Sequence, residues 1–329
     1  MRILTHDELP PDLETDLQLL RLSVGWPPRD FQRLRQARRL GYPAADYLGL
    51  YAVEDGRVVS TVRAVRVPFT FPDGHSETVS TVLSVITRRD RRGRGLARTL
   101  IGEVNARERR AGSSFCFLWT EHSLSAHRLY ERMGYRDLYT VDLAVRRPSP
   151  ASQGPRRGAY TLERLKDGDA ATVERLHAAS TRGRTGFTPR RRGFLRSDRK
   201  LGLSGSEPVR LILKDGRPVG YVVLDEAPGW VSVGEVVLTT GGRSDRGATP
   251  AMVTHLVADL ERLAARRWLS LRYTFVRDHG RELERRGYAF GTGDRVLMSL
   301  PLDGSPPDLQ VSTLGSADPR FTCQLLDYF

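Results

Sequence analysis

The amino-acid sequence predicts two tandem mixed α/β domains in one soluble chain, and three observations predict them. The 329 residues are long for one ordinary domain and comfortable for two, each large enough to bury its own core. The same hairpin occurs twice: Tyr51–Ser60 (YAVEDGRVVS) and Leu211–Gly220 (LILKDGRPVG) each set two apolar strands around an Asp-Gly-Arg turn. Further on, ERMGYRD around Gly134-Tyr135 is echoed by ERRGYAF around Gly287-Tyr288.

Each half then reads in one order: a short opening strand, an amphipathic helix, the hairpin, a long strand, a helix, a strand, a short helix and a closing strand. In the first half the long strand is Ser80–Thr87 (STVLSVIT), a β-rich run of the kind that fills a buried strand. The helix after it carries Leu96, Leu100 and Val104 at helical spacing, and Ser113–Trp119 (SSFCFLW) is the next strand. Between the halves, Arg146–Gly158 (RRPSPASQGPRRG) has no hydrophobic period and reads as a linker. The second half opens with a helix over Asp169–Ser180, with Val173, Leu176 and His177 on one face, and its long strand is Val231–Leu238. The segment Ser305–Phe329 starts with Pro306-Pro307, shows a weak strand signal at Leu309–Leu314, and reads as a docking tail. The expected division is 1–147, a linker over 148–158, 159–303 and a tail over 304–329.

Composition narrows the class. An apolar fraction of 39% and a charged fraction of 28% are near globular averages, and no apolar run is long enough to cross a bilayer. The start, MRILTHDELPPDLE, lacks the order of a secretory signal, so the cytoplasm is expected. Cys116 and Cys323 are too few for a disulfide scaffold and lack zinc-site spacing, and no metal is expected. The net charge of +13 is nearly all arginine, spread along the chain, with lysine only at Lys166, Lys200 and Lys214. Such a balance suits a nucleic acid, an anionic surface or a polyanionic cofactor. Without an aromatic and basic stacking pattern or a reading helix, nucleic acid is not the expected partner.

The chemistry concentrates where the first long strand meets its helix, at Arg92-Gly93-Arg94-Gly95-Leu96-Ala97-Arg98. A pyrophosphate needs several backbone N–H groups converging on one point, and amides entering a helix supply them together with the positive end of its dipole. Glycine lets the backbone approach closely, although an ordinary tight turn on a basic face has the same composition. The segment is not a dinucleotide fingerprint, because the third glycine and the following ribose-binding acid are missing. It is not a nucleotide P-loop, because no Gly-Lys-Ser or Gly-Lys-Thr closes it.

Arg92, Gly95 and Ala97 fit the acyl-CoA motif of the general control non-derepressible-5-related N-acetyltransferase (GNAT) superfamily, which this sequence resembles. Its second motif is matched by Ser123, Ala126, Tyr130, Gly134 and Tyr135, with Ser123 standing where the family has asparagine. The two motifs cover about a sixth of the chain. The resemblance implies two GNAT-like domains, each a mixed, mostly antiparallel sheet flanked by helices. It implies acetyl-CoA as acyl donor, with the pantetheine arm along Val85, Ile86 and Thr87, the pyrophosphate on the turn, and further contacts from Ser123 and Ala126.

Acyl transfer to an amine needs a neutral amine, a polarised carbonyl and a stabilised thiolate. Tyr130 matches the family tyrosine that serves the thiolate, and a backbone N–H of a bulged strand near Val85–Thr87 is expected to polarise the carbonyl. For the base, Glu77 shares the alternating face of Val79, Thr81, Leu83 and Val85, so its carboxylate is expected to look along the cleft. Glu121 and His122 end the neighbouring strand at the same mouth, and His75 lies in the turn before the long strand. The terminus Tyr328-Phe329 is a further candidate, since aminoglycoside acetyltransferases of the enhanced-intracellular-survival type use a C-terminal carboxylate.

In the second half the corresponding turn runs Arg246-Gly247-Ala248-Thr249-Pro250, and Leu283 stands four residues before Gly287 where the tyrosine would be. Proline lacks the N–H that phosphates need. One cofactor per chain is therefore expected, with the acceptor, a small molecule or peptide amine, entering between the halves and reacting directly in a ternary complex. Two other classes stay open: a catalytically silent acyl-CoA sensor and an arginine-rich nucleic-acid-binding protein.

Overall fold

The computed structural model describes residues 1–26, 28–42, 47–148, 160–187, 192–193, 195–196, 209–239, 248–304, 318 and 320–322. In the first half these form β1 (Arg2–Thr5), α1 (Glu14–Leu22), α2 (Phe31–Arg39), β2 (Tyr47–Glu54), β3 (Arg57–Thr70), β4 (Ser76–Thr87), α3 (Leu96–Arg110), β5 (Phe115–Glu121), α4 (Ser125–Arg132) and β6 (Arg136–Arg146). The second half contributes β7 (Thr161–Arg164), α5 (Ala170–Ser180), β8 (Thr185–Gly186), β9 (Val209–Lys214), β10 (Arg217–Ala227), β11 (Trp230–Leu238), α6 (Pro250–Ala264), β12 (Trp268–Arg272), α7 (Thr274–Arg285), β13 (Ala289–Pro301) and β14 (Phe321–Thr322). Most of the linker, 149–158, lies outside the described residues, as do Leu309–Leu314 and Tyr328-Phe329.

Local chemistry explains the repeated hairpins. Asp55 and Gly56 have φ of 50° and 70°, and Asp215 and Gly216 have 50° and 73°, the double left-handed turn that matches strand twist. β2 and β3 pair antiparallel around the first turn, and β9 and β10 around the second.

The strands join in one mixed sheet, in the order β1-β2-β3-β4-β5-β13-β6-β12-β11-β10-β9-β7. The two closing strands are exchanged between the halves. β13, from the second half, lies against β5 from Arg295 opposite Glu121 to Pro301 opposite Phe115. β6, from the first half, lies against β12 from Leu269 opposite Arg146 to Arg272 opposite Leu143. Val296 and Met298 of β13 accordingly pack into the first half's core with Leu100, Val104 and Tyr135.

Each face of the first-half sheet has its own cover. Val59, Val62, Ala64 and Val82 turn toward α3, where they meet Leu96, Leu100, Ile101 and Val104. On the opposite face Leu17 and Leu20 of α1, with Phe31 and Leu34 of α2, pack on Tyr51, Val58 and Ile86. Beyond α1 that second face carries the aromatic cluster of Phe69, Phe71 and Phe117, closed by Phe187, Tyr273 and Phe321 of the second half. Phe321 is held by β14 pairing with β8 and by Arg277 donating to its carbonyl at 2.6 Å.

Candidate active site

The long strand β4 bends where the sequence expects the acyl carbonyl. Against β3, Thr61 lies opposite Ile86 but Arg63 lies opposite Leu83, so β4 carries one extra residue. Ser84 takes up this bulge with φ of 54°, a left-handed conformation unusual for serine. The bulge also shifts the alternation. Val79 packs in the aromatic cluster, whereas Val82 and Val85 both pack toward α3. The expected continuous face from Glu77 to Val85 is therefore broken, because one inserted residue reverses every side chain after it.

Past the bulge the sheet opens. β4 pairs in parallel with β5 only from Ser80–Cys116 to Val82–Leu118, although β5 continues to Glu121. Val85, Ile86 and Thr87 thus leave the β5 side of their strand unpaired among the described residues, as an extended arm lying there would need.

From Thr87 the chain enters the glycine turn. Gly93 and Gly95 both have φ of 77°, and a Cβ on either would meet no atom within 4 Å, so backbone conformation is what requires glycine. Gly95 is the N-cap of α3 and no side chain caps that end, so the first N–H groups of the helix are left without a side-chain partner there. Arg92 Nε donates to the Thr87 carbonyl at 3.2 Å, tying turn to strand. Arg91 reaches Glu54 and Asp55, tying the turn to the hairpin. Arg94 and Arg98 are exposed and form no ion pair among the described residues. Open amides at a helix N-terminus beside two unpaired guanidinium groups suit a pyrophosphate.

Ala126 and Tyr130 lie on α4, and both belong to the cluster that holds Val82, Val85 and Leu118 at the opening. The Tyr130 hydroxyl has no hydrogen-bond partner among the described residues, and burial pushes its pKa up to about 12. Tyr135 behaves differently: its hydroxyl donates to Asn105 Oδ1 at 2.9 Å and lies 3.2 Å from Cys116 Sγ, making it a satisfied core residue. Ser123 is engaged by the second half, its backbone N–H and its hydroxyl both donating to the Asp294 carboxylate of β13.

The candidate bases separate. Glu77 lies opposite Phe69 near the start of β4, and burial raises its carboxyl pKa. Seven residues at about 3.3 Å each put it roughly 23 Å along the strand from Ser84, too far to take a proton from an amine there. Glu121 ends β5 level with the opening and shares the alternating face of Phe117 and Trp119, on the side of the sheet that α1 covers. His122 and His127 each share a hydrogen bond with one oxygen of Asp137, at 3.0 and 2.9 Å. The ligand atoms of these three residues lie within 4.8 Å of one another.

In the second half the helix that follows the long strand is closed at its start. Thr249 caps α6, its hydroxyl accepting the Met252 N–H at 3.3 Å, and Pro250 follows as the first residue. Leu283 is fully buried among apolar neighbours. The segment 240–247 lies outside the described residues.

Sequence reasoning missed a pocket on the α1 and α2 face beside the bulge. It is a narrow recess whose lining includes Arg21, Arg29, Tyr47, Thr61, Arg63 and Ser84, with a cavity volume of about 20 Å³, room for little more than a water-sized group. The available signal was Arg63, a cation at a half-buried position of β3 among Val62, Ala64 and Val65.

Comparison with known proteins agrees with this architecture. Residues 10–137 match the model of the family described as Acetyltransferase (GNAT) domain. No curated protein matches the sequence significantly. Solved structures with a similar fold include a conserved protein of unknown function from Enterococcus faecalis V583, described as a probable N-acyltransferase, at 13% identity and TM-score 0.66, covering 94% of this chain and 74% of that one. Eis1 from Mycobacterium abscessus is similar at 17% identity and TM-score 0.59, covering 92% and 74%. A tandem GNAT protein from the clavulanic acid biosynthesis pathway is similar at 15% identity and TM-score 0.53, covering 93% and 100%. At these identities the likeness is one of fold, and it runs through both halves.

Proposed function

We propose that this chain, in which residues 10–137 are a GNAT acetyltransferase domain within a tandem GNAT fold, moves an acetyl group from acetyl-CoA to an amine in a ternary complex. The observation that carries the reading is the continuity from the open amides of the Gly95 turn, along the unpaired edge of Val85–Thr87, to the unpartnered hydroxyl of Tyr130.

In this reading the amides and arginines from Arg92 to Arg98 hold the pyrophosphate, and the edge of Val85, Ile86 and Thr87 pairs with the pantetheine amides. An N–H released at the bulge polarises the thioester carbonyl. The amine attacks the carbonyl carbon, the C–N bond forms and the C–S bond breaks. The ammonium proton passes to Glu121 through water, and the sulfur leaves as thiolate. Tyr130 stabilises that thiolate by donating a hydrogen bond. With a tyrosine near 12 and a thiol near ~8.5, complete transfer of its proton is uphill by about 5 kcal/mol, so the thiolate takes its proton from solvent. The Thr249 cap and the buried Leu283 support a reading in which the second half binds no cofactor.

No helix among the described residues is long and apolar enough to cross a membrane. A cytoplasmic location fits the use of acetyl-CoA and the buried free thiol of Cys116. The test is release of free CoA thiol across a panel of amines with the wild type and Tyr130→Phe. The variant is expected to keep acetyl-CoA affinity within a few-fold while kcat falls roughly 10²-fold. Normal turnover in the variant would make Tyr130 a packing residue.

A further inference from the structure

The pocket beside Ser84 has a chemistry of its own. Its ionisable lining consists of Arg21, Arg29 and Arg63 with Tyr47 and Tyr51, and no carboxylate is among the described lining residues. Arg63 lies on the sheet with its guanidinium over the Tyr47 ring, 4.2 Å from the centroid. Its Nε is buried without a hydrogen-bond partner, and no carboxylate among the described residues pairs with it. A buried charged donor left this way is costly unless something supplies an acceptor.

The neighbouring acids are committed elsewhere. Glu14 pairs with Arg35, Asp16 with Arg57 and Asp7 with Arg38. Arg21 is buried beneath Trp26, and burial together with the Arg63 charge lowers its pKa. His6, packed on Tyr47 and Tyr51, is lowered to about 4 by burial and then by Arg35. The Arg29 backbone is fixed by both ends of the Gln18 amide, so the loop bearing it between α1 and α2 is held in place. The arrangement is a narrow positive recess against the bulge, with room for a small oxyanion head and not for a whole acceptor.

Resting on the acetyltransferase reading, we propose that the acceptor is an anionic amine whose carboxylate or phosphate oxygens bind Arg63 between Arg21 and Arg29 while its amine reaches the thioester beside Ser84. The recess supplies the guanidinium donors that either oxyanion requires. A polycationic amine meets like charges there and is rejected.

Two measurements test this. In the first, paired acceptors are compared by thiol release: free amino acids and aminoalkyl phosphates, each against a neutral amide or ester analogue and against polyamines. The free amino acids and phosphates separate the two oxyanion sources. The anionic members are expected to be preferred, and Arg63→Gln is expected to raise their KM at least tenfold while kcat changes less than threefold and neutral analogues are unaffected. Arg63→Lys is expected to recover part of the loss. Preference for neutral or cationic amines, or an equal loss for all acceptors, overturns the proposal. The second measurement needs no turnover: with CoA saturating, inorganic phosphate and acetate are titrated at constant ionic strength against thermal stability. Stabilisation in the wild type that disappears in Arg63→Gln supports the recess, and equal shifts in both overturn it. CoA-induced stabilisation in each variant shows that the protein is folded, and its absence in the wild type instead contradicts the cofactor reading itself.

Discussion

The Asp294 carboxylate accepts the Ser123 backbone N–H at 3.1 Å, joining a strand of the second half to the loop that leads into α4 of the first. The neighbouring His122 N–H donates to the Asp294 carbonyl at 2.9 Å. The loop before Tyr130 is thus positioned by residues more than 150 positions away in sequence.

This dependence extends to the whole first half. Val296, Leu297 and Met298 of β13 are fully buried, and at about 1.5–3 kcal/mol each they contribute roughly 5–9 kcal/mol, comparable with the net stability of a domain. A fragment of residues 1–147 is therefore expected to lack cooperative melting and acetyl-CoA binding, with the β5 edge exposed to aggregation. A soluble fragment that melts cooperatively and binds acetyl-CoA would show that β13 is dispensable.

His6 sets a pH dependence of stability. It is buried, its Nδ1 lying 3.1 Å from the Tyr51 hydroxyl, and its pKa falls from 6.5 to about 4. Above pH 6.5 it is neutral in both states and its full contribution is present. Between 6.5 and 4 the unfolded chain takes up the proton first, so stability is lost as pH falls, by up to about 3 kcal/mol, and levels off below 4. Urea unfolding from pH 7.5 to 4.5 is expected to show this slope in the wild type and a shallower one in His6→Gln. Parallel slopes would assign the loss to other groups.

Much of the frame was legible because it depends on local chemistry. Asp55-Gly56 and Asp215-Gly216 encode their turns, and Gly95 encodes a left-handed helix start, since few other residues hold those angles. The bulge was not placed at Ser84, because one extra residue in a β-rich run changes neither composition nor apparent strand propensity. It reverses Val85 relative to Glu77, which lies seven residues from Ser84 near the start of β4. The exchange of β6 and β13 was not legible either. Both closing strands are compatible with either sheet, so their neighbours are set by long-range register. Arg21, Arg29 and Arg63 converge only because α1, the following loop and β3 fold together, and no spacing within one element joins them.

The most direct measurement is a calorimetric titration of acetyl-CoA into the full chain and into Gly95→Pro. Proline removes an N–H and cannot adopt φ of 77°, so the open amide turn is lost. The wild type is expected to bind one acetyl-CoA per chain, since Thr249 caps the corresponding helix of the second half. Gly95→Pro, verified as folded by its melting transition, is expected to show no binding. Two equivalent sites in the wild type, or undiminished affinity in the folded variant, would contradict a single cofactor site at this turn.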